Sequence, residues 1–147
     1  MKVLIFMCIF MSSCLQAEQV LKEHVKNKFT KYHNNIRELR RRPPLKWSER
    51  LAADAHMNVL ELSVSCFVND TGNKGANILQ VWGVRPYTPS KVIVSWLREK
   101  KSRSVILDPN KKFIGCAYMP CRDKGSFATS VIYVCHYSEK YQLRYYS

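Results

Sequence analysis

The chain has 147 residues, of which 24 are Lys or Arg and 11 are Asp or Glu, so its formal net charge at pH 7 is +13. This length is enough for one hydrophobic core and excludes two domains of ordinary size. The positive charge predicts attraction to anionic partners at low salt. Nucleic acid is not expected among these partners, because the chain has no visible base-reading motif.

The N-terminal segment, residues 1–17, has the pattern of a signal peptide. Lys2 supplies the positive start, Val3–Met11 is a continuous apolar stretch, and Ala17 follows small residues at a plausible cleavage point. The apolar stretch is too short to span a bilayer, although a membrane anchor is the alternative interpretation. We therefore predict a secreted, extracellular product that keeps residues 18–147 as one domain. Loss of Lys2 leaves 23 basic and 11 acidic residues and a net charge of +12.

The cysteine count predicts disulfides. Two of the six cysteines lie in the signal peptide, and four remain afterwards: Cys66, Cys116, Cys121 and Cys135. An even number in a secreted chain implies two disulfides, for which three connectivities are possible. A zinc site made by the four cysteines is the alternative. Such a site favours closely paired C-x2-C spacing, whereas the close pair here is C-x4-C.

Three helices are predicted in chain order. Residues 19–41 carry apolar side chains at steps of three and four, and the prolines at 43–44 end that helix. Ser48 is a favourable N-cap for the second helix. Thr88 followed by Pro89 begins the third, with proline at the first helical position.

Three strands are predicted between and after these helices. Residues 66–77 have a loop composition, and 78–82 form a short strand candidate. Two longer strand candidates, 113–119 and 127–135, flank a turn that contains proline and glycine. Helices first and strands last within one small domain predict an α+β fold or an α-β-α sandwich.

Six short motifs occur in a fixed order along the chain. They are HNNIR from His33, PLKWSERLAADA from Pro44, GAN from Gly75, the pair Trp96 and Glu99, GCAYMPC from Gly115, and VCHY from Val134. Together they resemble the CAP superfamily, which groups cysteine-rich secretory proteins, insect venom allergens and plant pathogenesis-related proteins. The resemblance covers about residues 20–138.

The resemblance implies a three-layer α-β-α sandwich, in which a small antiparallel sheet lies between helices. It also implies disulfides between Cys66 and Cys121 and between Cys116 and Cys135. The second pairing agrees with the predicted strands, because both cysteines lie on neighbouring antiparallel strands. His33 matches a helix-one histidine of the family and is interpreted as structural.

The family's metal site is the point at which this chain departs from the pattern. Many members place two histidines and two glutamates in a central cleft, a donor set that suits a divalent metal. The matching positions here hold Asn69, Ala76, Glu99 and Ser102. One carboxylate is too little charge for a tight cation site. We therefore expect no bound metal, no cofactor and no enzymatic activity, although hydrolase activity has been proposed for some members.

Asn69 also begins the sequence Asn69-Asp70-Thr71, which is an N-glycosylation sequon. An attached glycan would lie at the mouth of the cleft, where other members have a metal ligand. An unused sequon is the alternative.

Two functions are predicted for such a domain, which we expect to be a monomer. The first is binding of an extracellular ligand, either a lipid or a host or partner protein. Sterol binding is in doubt, because the segment after Glu99 is shortened. A fatty-acid groove would depend on apolar side chains that could equally be ordinary core: Phe29, Tyr32, Val92 and Trp96.

The alternative function is that of a cationic effector that binds anionic glycans or membranes. Arg37 and several later cations form basic runs along the sequence. The candidate anion-binding residues are Arg40, Arg41, Arg42, Lys100, Lys101 and Arg103. A solvated basic face without a partner is the competing interpretation.

Overall fold

The structure, a computed structural model, describes residues 23–68, 75–83, 85–122 and 129–141. The predicted signal peptide (1–17) and the sequon at Asn69 lie outside the described residues. Within the described ranges, no helix is both long and apolar enough to cross a membrane.

Four helices and four strands follow one another along the described chain. They are α1 (residues 23–39), β1 (Lys46–Trp47), α2 (Glu49–Ser65), β2 (Ala76–Trp82), α3 (Pro89–Arg98), α4 (Lys100–Ile106), β3 (Phe113–Arg122) and β4 (Thr129–Ser138). The strands form one sheet in the order β1-β3-β4-β2, in which β4 is antiparallel to both neighbours and β1 is parallel to β3. The predicted α+β class is confirmed, whereas β1 and α4 were not predicted.

The two faces of the sheet carry separate hydrophobic cores. On one face Tyr133 belongs to a cluster with Phe29 of α1 and Trp96 of α3. On the other face Ile132 belongs to a cluster with Val59 of α2. Successive residues of a strand point to opposite faces, so β4 is buried on both sides. The helices therefore form two outer layers, and the three-layer sandwich is confirmed.

The first helix ends two residues earlier than predicted. Its last turn closes when the Arg41 N–H donates to Glu38 O at 2.9 Å and the Arg42 N–H donates to Arg37 O at 2.8 Å. Arg41 has a φ of +52°, in the left-handed region. This pattern is a Schellman motif, with Arg41 at the position where glycine is usual. The backbone thus leaves the helix before the prolines at 43–44 are reached.

The second helix begins as predicted and packs very closely on the sheet. The Leu51 N–H donates to Ser48 Oγ at 3.3 Å, which is the expected N-cap bond. Gly115 of β3 lies directly below this turn. A methyl group at Gly115 would overlap backbone atoms of Leu51 and Ala52. Only glycine permits this approach of helix and strand.

Both predicted disulfides are confirmed. Cys66, which ends α2, is bonded to Cys121 of β3 across 55 residues, with the Cα atoms 5.7 Å apart. Cys116 and Cys135 lie opposite each other on β3 and β4, are 19 residues apart and are also bonded. In the chain-entropy description these loops are worth about 4 and about 3 kcal/mol respectively.

Candidate functional site

A chain of buried hydrogen bonds crosses the fold from α1 to α4. Tyr137 of β4 lies 2.7 Å from His33 Nε2, and His33 Nδ1 lies 2.8 Å from Phe29 O. Asn77 of β2 donates from Nδ2 to Tyr137 Oη at 3.3 Å and to Ser102 O at 3.1 Å. The side chains of His33, Tyr137 and Asn77 are all buried.

The direction of these bonds follows from their chemistry. A carbonyl oxygen only accepts, so His33 donates from Nδ1 to Phe29 O, and its Nε2 accepts from the Tyr137 hydroxyl. Burial lowers the pKa of His33 to about 4, and the positive charge of Arg37 acts in the same direction. Burial also raises the pKa of Tyr137 above its usual range. Both groups are therefore neutral at pH 7 and act as structural links rather than as an acid and a base.

Glu99 joins two helices and caps the second. It follows α3 directly and is the N-cap of α4. The Lys101 N–H donates to Glu99 Oε1 at 2.8 Å, and the Ser102 N–H donates to Oε2 at 2.6 Å. Hydrogen bonds from Ser102 and Lys101 lower the pKa of Glu99. Both carboxylate oxygens thus hold the first turn of α4.

The sequence patterns did not predict the short helix α4, and the reason is physical. It has seven residues, and its first turn contains Lys100 and Lys101 but no acidic residue. Cations at a helix N-terminus oppose the helix dipole, and so short a helix is unstable alone. Burial of Ile106 in the core and the cap by Glu99 hold it in place. A carboxylate just before the segment was the one sequence signal for this helix.

Arg37 corrects the sequence interpretation of the basic runs. It was grouped with exposed cations, but 0% of its surface is exposed. Its Nε donates to Pro43 O at 2.6 Å, and its Nη1 donates to Ile106 O at 2.7 Å and Asp108 O at 3.0 Å. Its Nη2 donates to Lys111 O at 3.0 Å. The guanidinium group therefore joins the end of α1 to the end of α4 and to the turn before β3.

Comparison with known proteins decides the family. The family model described as CAP, the cysteine-rich secretory protein family, matches residues 30–137. The chain belongs to the CAP family. That match runs from within α1 to Tyr137 and so contains β1, β2 and β3 and all of β4 except Ser138.

Solved structures share the CAP fold. The structure titled MpPR-1i is 23% identical, with a TM-score of 0.60, over 84% of this chain and 92% of that one. An outer surface protein from Borrelia burgdorferi is 13% identical, with a TM-score of 0.58, over 81% and 95%. A cysteine-rich secretory protein from Staphylococcus aureus is 20% identical, with a TM-score of 0.50, over 77% of this chain and 38% of that one. No curated protein sequence matches.

The metal set of the CAP cleft does not fit this chain. Ala76 opens β2 and offers no donor atom, and both oxygens of Glu99 accept backbone N–H groups. Ser102 lies in α4, while Asn69 is outside the described residues. Among residues 23–68, 75–83, 85–122 and 129–141, no three His, Cys, Asp or Glu side chains are grouped so as to hold a metal ion.

The residues proposed for a fatty-acid groove belong to the CAP core. Phe29 and Val92 are 0% exposed and Trp96 is 2% exposed. Tyr32 is partly buried and packs against the same cluster. These contacts favour the ordinary-core interpretation of the four side chains.

The predicted anion-binding residues form two groups on the CAP domain. One group is the turn after α1, and the other is the beginning of α4. All six side chains are exposed: Arg40, Arg41, Arg42, Lys100, Lys101 and Arg103. Arg103 also donates from Nη1 to Leu97 O at 3.1 Å.

Replacing Glu99 with glutamine tests whether this residue is a cap or a metal ligand. The amide keeps one acceptor and loses the charge, so we expect a small fall in melting temperature and an unchanged metal content. Thermal unfolding and elemental analysis of the dialysed protein measure the two effects. Glu38→Gln, which removes an exposed charge from α1, is the control. Zinc that is present in the original chain and lost in Glu99→Gln would contradict the cap assignment.

Proposed function

We propose that this chain is a secreted, non-enzymatic CAP-domain protein that acts by binding an extracellular ligand. The observation that carries the proposal is which residues stand at the family's metal-binding positions and what they do there. Ala76 has no donor atom, and Glu99 is used as a helix cap. The scaffold is kept without the donor set that a metal-dependent reaction would need.

The remaining reactive groups also support a binding role. His33 is buried and neutral, so no substrate reaches it as a general base. All four cysteines of the predicted mature chain are in disulfides, so none is a free nucleophile. The two disulfides agree with an oxidising compartment, as expected for a family whose members are typically secreted.

The packing favours recognition at the surface over enclosure of a lipid. The side chains that a fatty-acid groove would require are packed in the core, with Phe29 and Val92 fully buried. A ligand would then contact exposed residues of loops and helix ends. A host or partner protein fits this description better than an enclosed fatty acid.

A second candidate function is supported by the charge. The chain carries a net charge of +13, and the cations at the end of α1 are exposed. A surface of this kind attracts polyanions over distances of about a Debye length. In this alternative the protein is a cationic effector that binds acidic glycans or membranes.

Native mass spectrometry of the protein from a eukaryotic secretory host tests the proposal. We expect the mass of residues 18–147 less four hydrogens, as two disulfides require, with a removable glycan if Asn69 is modified. Asn69→Gln is the control for that glycan. One zinc per chain after dialysis would contradict the loss of the metal site. An added mass equal to one lipid molecule, lost on denaturation, would show that the protein carries a lipid and would contradict recognition at the surface.

A further inference from the structure

We infer that one end of the domain is a binding site for a linear sulfated polysaccharide. This site, called here the basic end, consists of six exposed cations: Arg40, Arg41, Arg42, Lys46, Lys112 and Lys140. The inference rests on the second candidate function and names both its surface and its partner.

Backbone hydrogen bonds bring these cations together from separate parts of the sequence. The Lys46 N–H donates to Lys112 O at 2.8 Å, and the Lys112 N–H donates to Ser138 O at 2.9 Å. Lys140 follows two residues after Ser138, and its N–H donates to Ser138 Oγ at 3.2 Å. The beginning of β1, the turn before β3 and the end of β4 thus meet at one place.

Arg37 fixes the arginine turn to the same place. Its guanidinium group binds Pro43 O on one side and Lys111 O on the other. The turn that carries Arg40–Arg42 is therefore held against the turn that carries Lys112. A surface whose backbone is already ordered loses less entropy when a ligand binds.

The positive charge at this end is only partly compensated. Glu139 pairs with Lys111 at 3.3 Å, and Asp108 Oδ1 accepts the Asn110 N–H. Glu38 lies one turn before the arginines and is exposed. In the described part of the chain, no ion pair joins an acid to any of the six cations. Their charges are therefore available to an external anion.

Arg41 gives the strongest indication that the positive charge at this end is needed for binding. A cation near the C-terminus of a helix interacts favourably with the helix dipole. This interaction alone explains an arginine at position 40, so Arg40 is not evidence for a ligand. Arg41, however, has a φ of +52°, where a side chain is unfavourable and glycine is preferred. An arginine that costs stability at an exposed position is expected where binding requires the charge.

The chemistry of the site favours a sulfated polymer over a membrane. Guanidinium groups pair bidentately with sulfate and carboxylate, and a row of cations suits repeated anions along a chain. Leu39 is exposed, and Tyr141 packs edge-on against Phe113, which is too little apolar surface for stable insertion. Anionic lipids are concentrated in the cytoplasmic leaflet, which a secreted protein does not meet.

Heparin serves as the probe in a surface-plasmon-resonance titration of the full mature chain at about 50 and about 150 mM salt. We expect Arg41→Gly to weaken binding about two- to fivefold while its melting temperature stays the same or rises. The triple change Arg40→Gln, Arg41→Gly, Arg42→Gln should weaken binding about tenfold or more.

The matched control removes three exposed charges from α3 and the segment before it through Arg85→Gln, Lys91→Gln and Arg98→Gln. We expect it to change heparin affinity by less than about twofold. Equal losses in the two triple variants would mean that net charge alone drives binding, and would overturn the site. Tighter binding to phosphatidylserine vesicles than to heparin, lost in the arginine triple variant, would show that the partner of this site is a membrane and not a glycan. If the original chain does not bind heparin, the inference fails, while native mass spectrometry still tests the proposed function separately.

Discussion

Replacing Arg37 with methionine is expected to lower the free energy of unfolding by about 3–5 kcal/mol. The buried guanidinium group donates to four backbone carbonyls, on Pro43, Ile106, Asp108 and Lys111. Methionine fills a similar volume but donates nothing, so all four acceptors lose their partner, and Ile106 O loses it in a buried position. Urea unfolding followed by circular dichroism measures the loss.

Two further variants separate the reasons for that effect. Arg37→Lys keeps the positive charge near the C-terminus of α4. The lysine side chain, however, has too few donors for four carbonyls, and their geometry is wrong for these acceptors. We therefore expect it to recover only a small part of the stability. Arg40→Met removes an exposed arginine from the next turn and should change stability by less than about 0.5 kcal/mol. Equal stability of the Arg37→Met and Arg40→Met variants would refute the structural role of Arg37.

Acid is expected to destabilise the protein through His33, by about 3 kcal/mol between pH 6.5 and pH 4. The unfolded chain protonates His33 near its ordinary pKa of 6.5, whereas burial lowers the pKa in the folded chain to about 4. Between these values the unfolded state binds more protons, so stability falls as the pH falls. The contribution of His33 is complete above pH 6.5. His136 acts in the same direction, because burial lowers its pKa as well.

The measurement is the free energy of unfolding at a series of pH values. His33→Gln cannot be protonated and should flatten the dependence between pH 6.5 and 4, at the expense of stability at pH 7. His56→Gln removes an exposed imidazole from α2 and serves as the control for the loss of one histidine. Nuclear magnetic resonance adds an independent result, because the neutral ring should carry its proton on Nδ1. An unchanged pH dependence in His33→Gln would show that other groups control acid unfolding.

The hydrogen-bond chain and the cap on α4 suggest how the CAP scaffold is held without the metal residues. Asn77 ties β2 to Ser102 of α4, and Tyr137 ties β4 to His33 of α1. Glu99 holds the first turn of α4. These contacts are internal and join β2 to α4 and β4 to α1. They agree with the proposal that a ligand binds at the exposed surface.

Much of the fold could be predicted from local patterns. Ser48 caps α2, and Thr88 with Pro89 begins α3, because caps depend on the residues of a single turn. The composition of residues 127–135 indicated β4, and the family resemblance carried by the motifs implied both disulfides. The missed elements, β1 and α4, are two and seven residues long. Elements this short are stabilised by tertiary contacts, which a local pattern does not contain.

The site was predicted less completely than the fold. Residue identity was enough to show that Ala76 has no donor atom and that Glu99 is the one carboxylate among the four cleft positions. Residue identity did not show that Glu99 is a helix cap. His33 and Tyr137, which are separated by 104 residues, also gave no sign of their contact.

The amino-acid sequence by itself determined the family and the sandwich and, through the family resemblance, the disulfides. These depend on which residue types stand at which spacings. Only the tertiary structure decided that Arg37 is buried while Arg40, three residues later on the same turn, is exposed. Both are arginines in one basic run, and the difference comes from carbonyl groups supplied about 70 residues away, at Ile106 and Asp108. Charge is a property of a residue, whereas burial of that charge is a property of its neighbours in space.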